Sequence, residues 1–170
     1  MKMTIRPDRA EDIDAIARIF RACWLESYRD LLSEDVRDSM TLEKARDLWL
    51  PGLTSKIDRE TLVACIGETP IGMARIGCDA DLPDRGHLFS LYIEPEQAGK
   101  GFGKALLAAA LRRLSERGFS ETSLWVFKAN LGASGLYRKM GFEPTSRERT
   151  DSRWQSLEIE MLHRNITSLL

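Results

Sequence analysis

Between Glu94 and Leu107 the chain reads EPEQAGKGFGKALL, with three alternate glycines, Gly99, Gly101 and Gly103, beside Lys100 and Lys104. An apolar run, His87 to Ile93, enters this stretch, and Ala105 to Leu111 leaves it as a strong helix former. A helix that starts after a glycine-rich turn has unpaired N–H groups pointing out of its end. Glycine lets an anion reach them with no Cβ in the way, and it allows the positive φ that a tight turn needs. The helix dipole adds about 0.3–1 kcal/mol per exposed anionic charge. Charge-assisted bonds from Lys100 and Lys104 add about 1.5–3 kcal/mol each. The expected chemistry is capture of a diphosphate by Gly99, Lys100, Gly101, Phe102, Gly103 and Lys104.

Two familiar phosphate loops are excluded by position. The ATPase-type loop needs a glycine where Ala98 stands and a magnesium-binding hydroxyl where Ala105 stands. The dinucleotide fingerprint needs its third glycine where Lys104 stands. A second block follows: an apolar run from Ser123 to Phe127, then Asn130-Leu131-Gly132-Ala133-Ser134-Gly135-Leu136-Tyr137, closing on Met140-Gly141-Phe142. Taken together, the two blocks resemble the GNAT superfamily of N-acetyltransferases. That family pairs a glycine-rich pyrophosphate loop with an Asn-x-x-Ala-x-x-x-Tyr-x-x-x-Gly-Phe segment. The likeness is clear from about His87 to Phe142 and looser elsewhere.

The resemblance implies acetyl-CoA as cofactor, with CoA as product and no metal. It implies that the fourth and fifth strands splay apart around the pantetheine arm. Leu91 and Ile93 then supply main-chain contacts, and the Ile93 N–H polarises the thioester carbonyl as a one-donor oxyanion site. Asn130 is a helix cap by its own chemistry and a pantetheine contact by the resemblance. The connection between the first two helices overhangs the acceptor pocket in similar proteins, which makes Trp24, Glu26 and Tyr28 candidates to hold an amine. Trp24 and Tyr28, four apart, equally continue a buried stripe. One departure is plain: where the family's loop commonly carries Gln or Arg, this chain has Ala98, with Gln97 one residue early. That removes one side-chain contact and leaves the backbone cradle.

Attack of an amine on a thioester needs a free lone pair, a stabilised oxyanion and a protonated leaving thiol. An alkylamine of pKa about 10.4 is mostly charged at pH 7, at a cost of about 4.6 kcal/mol, against about 1.4 for an α-amino group near pKa 8. His87 is the candidate base, because its ordinary pKa lies near neutrality; Glu94 and Glu26 are the alternatives. Tyr137 is the candidate acid for the leaving sulfur. The principal reading is transfer of the acetyl group to a primary amine of a small molecule or peptide. The alternative is a CoA-binding regulatory module without turnover.

At 170 residues the chain is sized for one domain, here 1–165 followed by a short 166–170 tail. With 25 basic and 26 acidic residues it carries a net charge of −1, so no broad field draws it to nucleic acid or membrane. Cys23, Cys65 and Cys78 are scattered and lack metal-ligand spacing, as expected of reduced thiols in a cytoplasmic protein. The reading leaves room for a homodimer.

The elements that must hold these residues follow in order. Met3 to Arg6 is a strand; Asp8 or Asp12 caps a helix with Ile13, Ile16, Ala17, Ile19, Phe20 and Cys23 inward. Ser33 and Thr41 start further helices, the second with Leu42, Ala45, Leu48 and Trp49 inward and an end at Pro51-Gly52. Thr61 to Ile66 and Ile71 to Gly77 form a hairpin. Strict alternation puts His87, Phe89, Leu91 and Ile93 on one face of the next strand. Gly118 stops the helix after the loop, Glu121 to Phe127 is a strand, and Gly141 ends the Asn130 helix. Phe142 to Arg147 and Trp154 to Leu162 make a last hairpin, with a mobile tail from His163. The fold class is α/β (α+β): a mixed, mostly antiparallel sheet of about six to seven strands with helices on both faces.

Overall fold

The computed structural model describes residues 2–54, 58–152 and 155–169. Strand β1 (Met3–Pro7) leads through a 3₁₀ turn into α1 (Ile13–Ser27), α2 (Glu34–Asp38) and α3 (Leu42–Thr54). Three strands follow, β2 (Arg59–Ile66), β3 (Thr69–Cys78) and β4 (Gly86–Ile93). Then come α4 (Phe102–Glu116), β5 (Thr122–Phe127), α5 (Leu131–Lys139), β6 (Glu143–Asp151) and β7 (Ser156–His163). The strands form one seven-stranded sheet in the order β1-β2-β3-β4-β5-β7-β6. Every neighbouring pair is antiparallel except β4 and β5. This is the mixed, largely antiparallel sheet with helices on both faces that the sequence implies.

Each face of the sheet has its own core. On one face α1 presents Ile13, Ile16, Ala17, Ile19, Phe20 and Cys23, all buried, against Val63, Cys65 and Met73 of the sheet. On the other, α4 buries Leu106, Leu107, Ala110, Leu111 and Leu114 over Ala74, Ile76, Leu88 and Leu124. Burying a side chain of this size contributes about 1.5–3 kcal/mol, so the helices clamp the central strands from both sides.

Several local expectations are corrected by packing. Asp12 sits at the start of α1 but does not cap it with its side chain. Its carboxylate instead accepts from the Arg6 guanidinium at 2.7 and 2.9 Å and from the Arg9 N–H at 2.7 Å. Ser33 precedes α2 without a side-chain cap, whereas Thr41 Oγ1 accepts from the Lys44 N–H at 3.1 Å. In α3, Ala45, Trp49 and Leu53 face the core, while Leu42 and Leu48 are exposed; the inward face runs at i, i+4, i+8. The helix also continues through Pro51 to Thr54.

In β4, Arg75 pairs with Ser90 and Ile76 with Leu88, so Phe89 is an extra residue. This bulge breaks the alternation: Leu88, Leu91 and Ile93 join the α4-side core, and Tyr92 joins the α1-side core. The last hairpin forms between β6 and β7, and Trp154 lies outside the described residues.

From His163 to Ile166 the chain packs rather than hanging free. Ile166 is fully buried in the α4-side core, and its N–H donates to the Ser120 carbonyl at 2.9 Å. Ile166→Ala should therefore lower the unfolding free energy by about 2–4 kcal/mol in urea titration. A change below about 0.5 kcal/mol would mean that this segment adds nothing to the core.

Candidate functional site

Parallel pairing of β4 and β5 covers only Gly86–Thr122, His87–Ser123 and Leu88–Leu124. Beyond the Phe89 bulge the two strands part. On its other side β4 stays paired with β3, and the Glu94 N–H donates to the Ile71 carbonyl at 2.8 Å. That bond makes Gly72–Ile93 a non-hydrogen-bonded pair, and by alternation Ala74–Leu91 is one as well. The N–H and C=O of Leu91 and Ile93 therefore turn away from β3, toward the side where β5 has diverged. The Ile93 carbonyl takes the Cys23 thiol at 3.0 Å, and burial pushes that thiol's pKa up to about 12.

Below β4 the chain turns through Pro95–Gln97 into the glycine loop and α4. Gly99 and Gly101 have φ of +76° and +84°, and Gly101 is the left-handed residue at the start of α4. A Cβ at either position would meet nothing within 4 Å, so the face of the turn is open. Alternating left- and right-handed residues make a concavity of N–H groups suited to an anion. Gly103 is ordinary helix, and a Cβ there would only touch Leu136 and Ile93, so positive φ is confined to two of the three glycines. The Lys100 ammonium donates to Gln97 Oε1 at 3.0 Å, and Lys104 is exposed on the same turn. Phe102 is half-buried against the α4-side core. This open, positively flanked cradle fits a diphosphate.

A cleft of about 530 Å³ opens on the α1 side of the parted strands. Asn130 starts α5 by accepting from the Ala133 N–H at 3.1 Å, which sets Asn130, Ala133 and Tyr137 along the cleft wall. Tyr137 packs edge-on against Phe142, and burial raises its phenol pKa, so it stays protonated at neutral pH. Tyr28 also lines the cleft, between Trp24 and Phe127, and burial raises its phenol pKa. Trp24 is a buried wall residue whose ring N–H donates to the Arg37 carbonyl at 3.2 Å. Glu26 is exposed, ion-paired with Arg29 at 2.6 Å and outside the cleft lining; Glu94 is also outside it, held by Arg18. The geometry brings His87 and Tyr137 to one cleft and leaves both glutamates out of it.

His87 is buried at that cleft's wall. Its Nδ1 lies 2.7 Å from Ser123 Oγ, which donates to Asp79 Oδ2 at 2.5 Å. One hydroxyl has one proton, so the Ser123 oxygen accepts from the imidazole Nδ1–H. Nε2 keeps its lone pair. Asp79 in turn accepts from Arg85 at 2.8 and 3.0 Å, and Arg85 reaches Glu160 at 3.0 Å. Burial opposes the Asp79 charge, yet bonds from Ser123, the Asp81 backbone and Arg85 bring its pKa down to about 2. Burial brings His87 down to about 4, with Asp79 partly offsetting it and Arg149 and Arg85 adding to it.

Ser123, Asp79 and Arg85 were not singled out by the sequence reading. Their relation depends on strand pairings of 36 and 44 residues' separation, and no local spacing signals it. Among the described residues no group of three or more His, Cys, Asp or Glu is placed to hold a metal ion. None of their helices is long and apolar enough to cross a membrane.

The acetyltransferase (GNAT) family model matches residues 13–142. The chain belongs to that family, and is an acetyl-CoA-dependent acyltransferase. It is 28% identical over 155 residues to spermidine N(1)-acetyltransferase of Thermoplasma acidophilum, covering 89% of this chain and 94% of that protein. Its structure is similar to that of the PaiA N-acetyltransferase of Thermoplasma acidophilum in complex with coenzyme A. The TM-score is 0.75 at 26% identity, over 94% of this chain and 98% of that one. The fold also matches a phosphinothricin acetyltransferase from Sinorhizobium meliloti in complex with AcCoA. There the TM-score is 0.76 at 22% identity, over 97% and 89% of the two chains.

Because His87 is neutral when folded and titrates near 6.5 when unfolded, the unfolded chain binds the extra proton between about pH 6.5 and 4. Stability from this group is present above pH 6.5 and is lost as pH falls, by up to about 1.4 kcal/mol per unit. His87→Gln should flatten the slope of urea stability against pH most clearly between about pH 5 and 6.5; the slope that remains comes from His163, whose pKa burial also lowers, and, toward pH 4, from Asp12 and Asp79, whose hydrogen bonds hold them below the usual carboxylate range. An unchanged slope would mean that the buried imidazole is not held neutral.

Proposed function

We propose that this chain moves the acetyl group of acetyl-CoA directly to a primary amine of a small molecule or peptide. The observation that carries the reading is the parting of β4 from β5, with the main chain of Leu91 and Ile93 facing the opening and the glycine turn at its end. Acetyl-CoA, when bound, supplies a thioester whose carbonyl carbon accepts the amine. In this reading the N–H groups from Gly99 to Lys104 hold the diphosphate, with Lys100 and Lys104 adding charge and Phe102 and Asn130 bordering the bound arm. The Ile93 N–H faces the thioester oxygen, and main-chain groups of Leu91 pair with the pantetheine arm.

His87 takes the proton from the attacking nitrogen at Nε2, through water. A weak base serves here because nitrogen becomes far more acidic once the C–N bond begins to form. Ser123 and Asp79 hold the ring in the tautomer that keeps Nε2 open. Tyr137, kept protonated by burial, would share its hydroxyl proton with the departing sulfur as the C–S bond breaks. Tyr28 and Trp24 shape the acceptor end. The ion pairs of Glu94 with Arg18 and of Glu26 with Arg29, both outside the cleft lining, favour His87 over either glutamate as the base.

Acetyl-CoA should raise the melting temperature, and CoA thiol should appear when an amine library is offered. Tyr137→Phe should lower kcat on the order of 10²-fold with little effect on acetyl-CoA binding. Gly101→Asp, with a carboxylate in the cradle and a strained positive φ, should abolish that binding while the circular dichroism spectrum is kept. A folded wild-type protein that shows no acetyl-CoA shift, or an unchanged Tyr137→Phe rate, would contradict the corresponding part of the reading.

A further inference from the structure

Arg75 stands in the middle of β3, a strand otherwise buried and apolar around it. It is only 9% exposed, its Nε is buried without a partner, and its guanidinium lines the cleft 5.3 Å from the centre of the Trp49 ring. No hydrogen bond or ion pair joins it to another described residue, although Asp8 exerts some attraction on it. Arg59 approaches the same end of the cleft, stacked 4.0 Å over the Phe89 ring, and adds like charge. A buried guanidinium without a carboxylate is costly, and a second cation beside it makes it more so. Burial and Arg59 accordingly depress the Arg75 pKa. Of the four acids that share the cleft, Asp79 is engaged by Arg85, Asp81 by Arg147 and Glu158 by Arg149, and the fourth, Asp151, is not paired with Arg75.

The position is built for this side chain. Gly52 in α3 lies under the guanidinium, and a Cβ there would land on it. Across the strand pair Arg75 faces Ser90, one residue from Leu91, so the charge lies beside the opening between β4 and β5.

We infer that the acceptor carries a carboxylate, held by the Arg75 guanidinium with Arg59 at its rim, a few bonds from the amine that is acetylated. The inference rests on the transferase reading above and narrows its substrate class to amino acids and related amino carboxylates. An arginine fork matches a carboxylate in two parallel bonds, and aromatic walls from Trp49, Tyr92 and Phe89 accept the rest of such a molecule. Binding supplies the counter-ion that the fold withholds.

The test measures CoA thiol release with the standard amino acids and with ω-amino acids of three to five carbons. Each is compared with its carboxamide, and spermidine serves as an amine without an anion. At least one free acid should exceed its carboxamide ten-fold or more in kcat/KM, the factor that one charge-assisted pair is worth. Arg75→Gln should raise KM for that acid ten- to hundred-fold, and Arg75→Lys should recover part of the loss. Without substrate, the Arg75→Gln protein should melt no lower than wild type, whereas loss of a structural arginine would lower the melting temperature. Gly52→Ala, which keeps the charge but displaces it, should also raise KM.

Acetyl-CoA melting shifts on every variant separate the two levels of the argument. If acetyl-CoA binds and carboxamides or spermidine are acetylated as well as the acids, the carboxylate anchor is wrong and the transferase reading stands. If acetyl-CoA does not bind wild type, the transferase reading falls first and the anchor falls with it.

Discussion

Backbone N–H and C=O groups inside a sheet need partners, and β4 has a parallel neighbour only as far as Leu88. The bulge at Phe89 ends that pairing while the β3 side of the ladder continues, so two residues, Leu91 and Ile93, present main-chain polar groups to a gap rather than to a strand. The rest of the molecule is arranged around keeping that gap open. The α1-side and α4-side cores clamp β3 and β4 from opposite faces, and neither closes it. An unpaired strand edge inside a protein is a template for an extended partner, and in the proposed reading that partner is the cofactor arm.

The two ends of the gap differ in chemistry because different parts of the chain reach them. At the α4 end, a turn with two left-handed glycines and a helix start offers N–H groups and lysines to an anion. On the α1 side, the cleft combines aromatic walls with the carboxylates of Asp79, Asp81 and Glu158, each paired with an arginine, and with Arg75 and Arg59, which are not paired with them. The buried chain from Asp79 through Arg85 to Glu160 is tied further by Thr145 at 2.7 Å and Arg147 at 2.9 Å. Those bonds link the loop after β3 to β7 and fix the Ser123 side of the imidazole. Rigid placement of a neutral histidine and a protonated tyrosine is the condition that proton transfer needs.

What could be read in the sequence was what short-range geometry dictates. The glycine loop, the Asn130 cap and the helix stops at Gly118 and Gly141 each depend on a handful of consecutive residues, so their positions were legible, as was the family likeness they carry; the stop expected at Pro51-Gly52 was not, because α3 runs on to Thr54. The mostly antiparallel sheet was legible because alternating apolar runs announce strands. Contacts set by pairing distant strands were not: the Phe89 bulge, which overturns the simple alternation along β4, and the relay from His87 through Ser123 to Asp79. Leu42 and Leu48 look inward by composition, but α3 buries the stripe of Ala45, Trp49 and Leu53. Glu26 looked suited to an amine and points instead to Arg29. Arg75 was visible as the one charge within the apolar run Ile71 to Gly77, and only its burial without an anion gives it meaning.

In the proposed reading coenzyme A completes the edge of β4. Residue-resolved amide hydrogen exchange, with and without coenzyme A, tests it where the claim is made. The N–H groups of Leu91 and Ile93, and those of residues 99–104, should become strongly protected when coenzyme A is added. Exchange at those amides that is unchanged at saturating coenzyme A would contradict it.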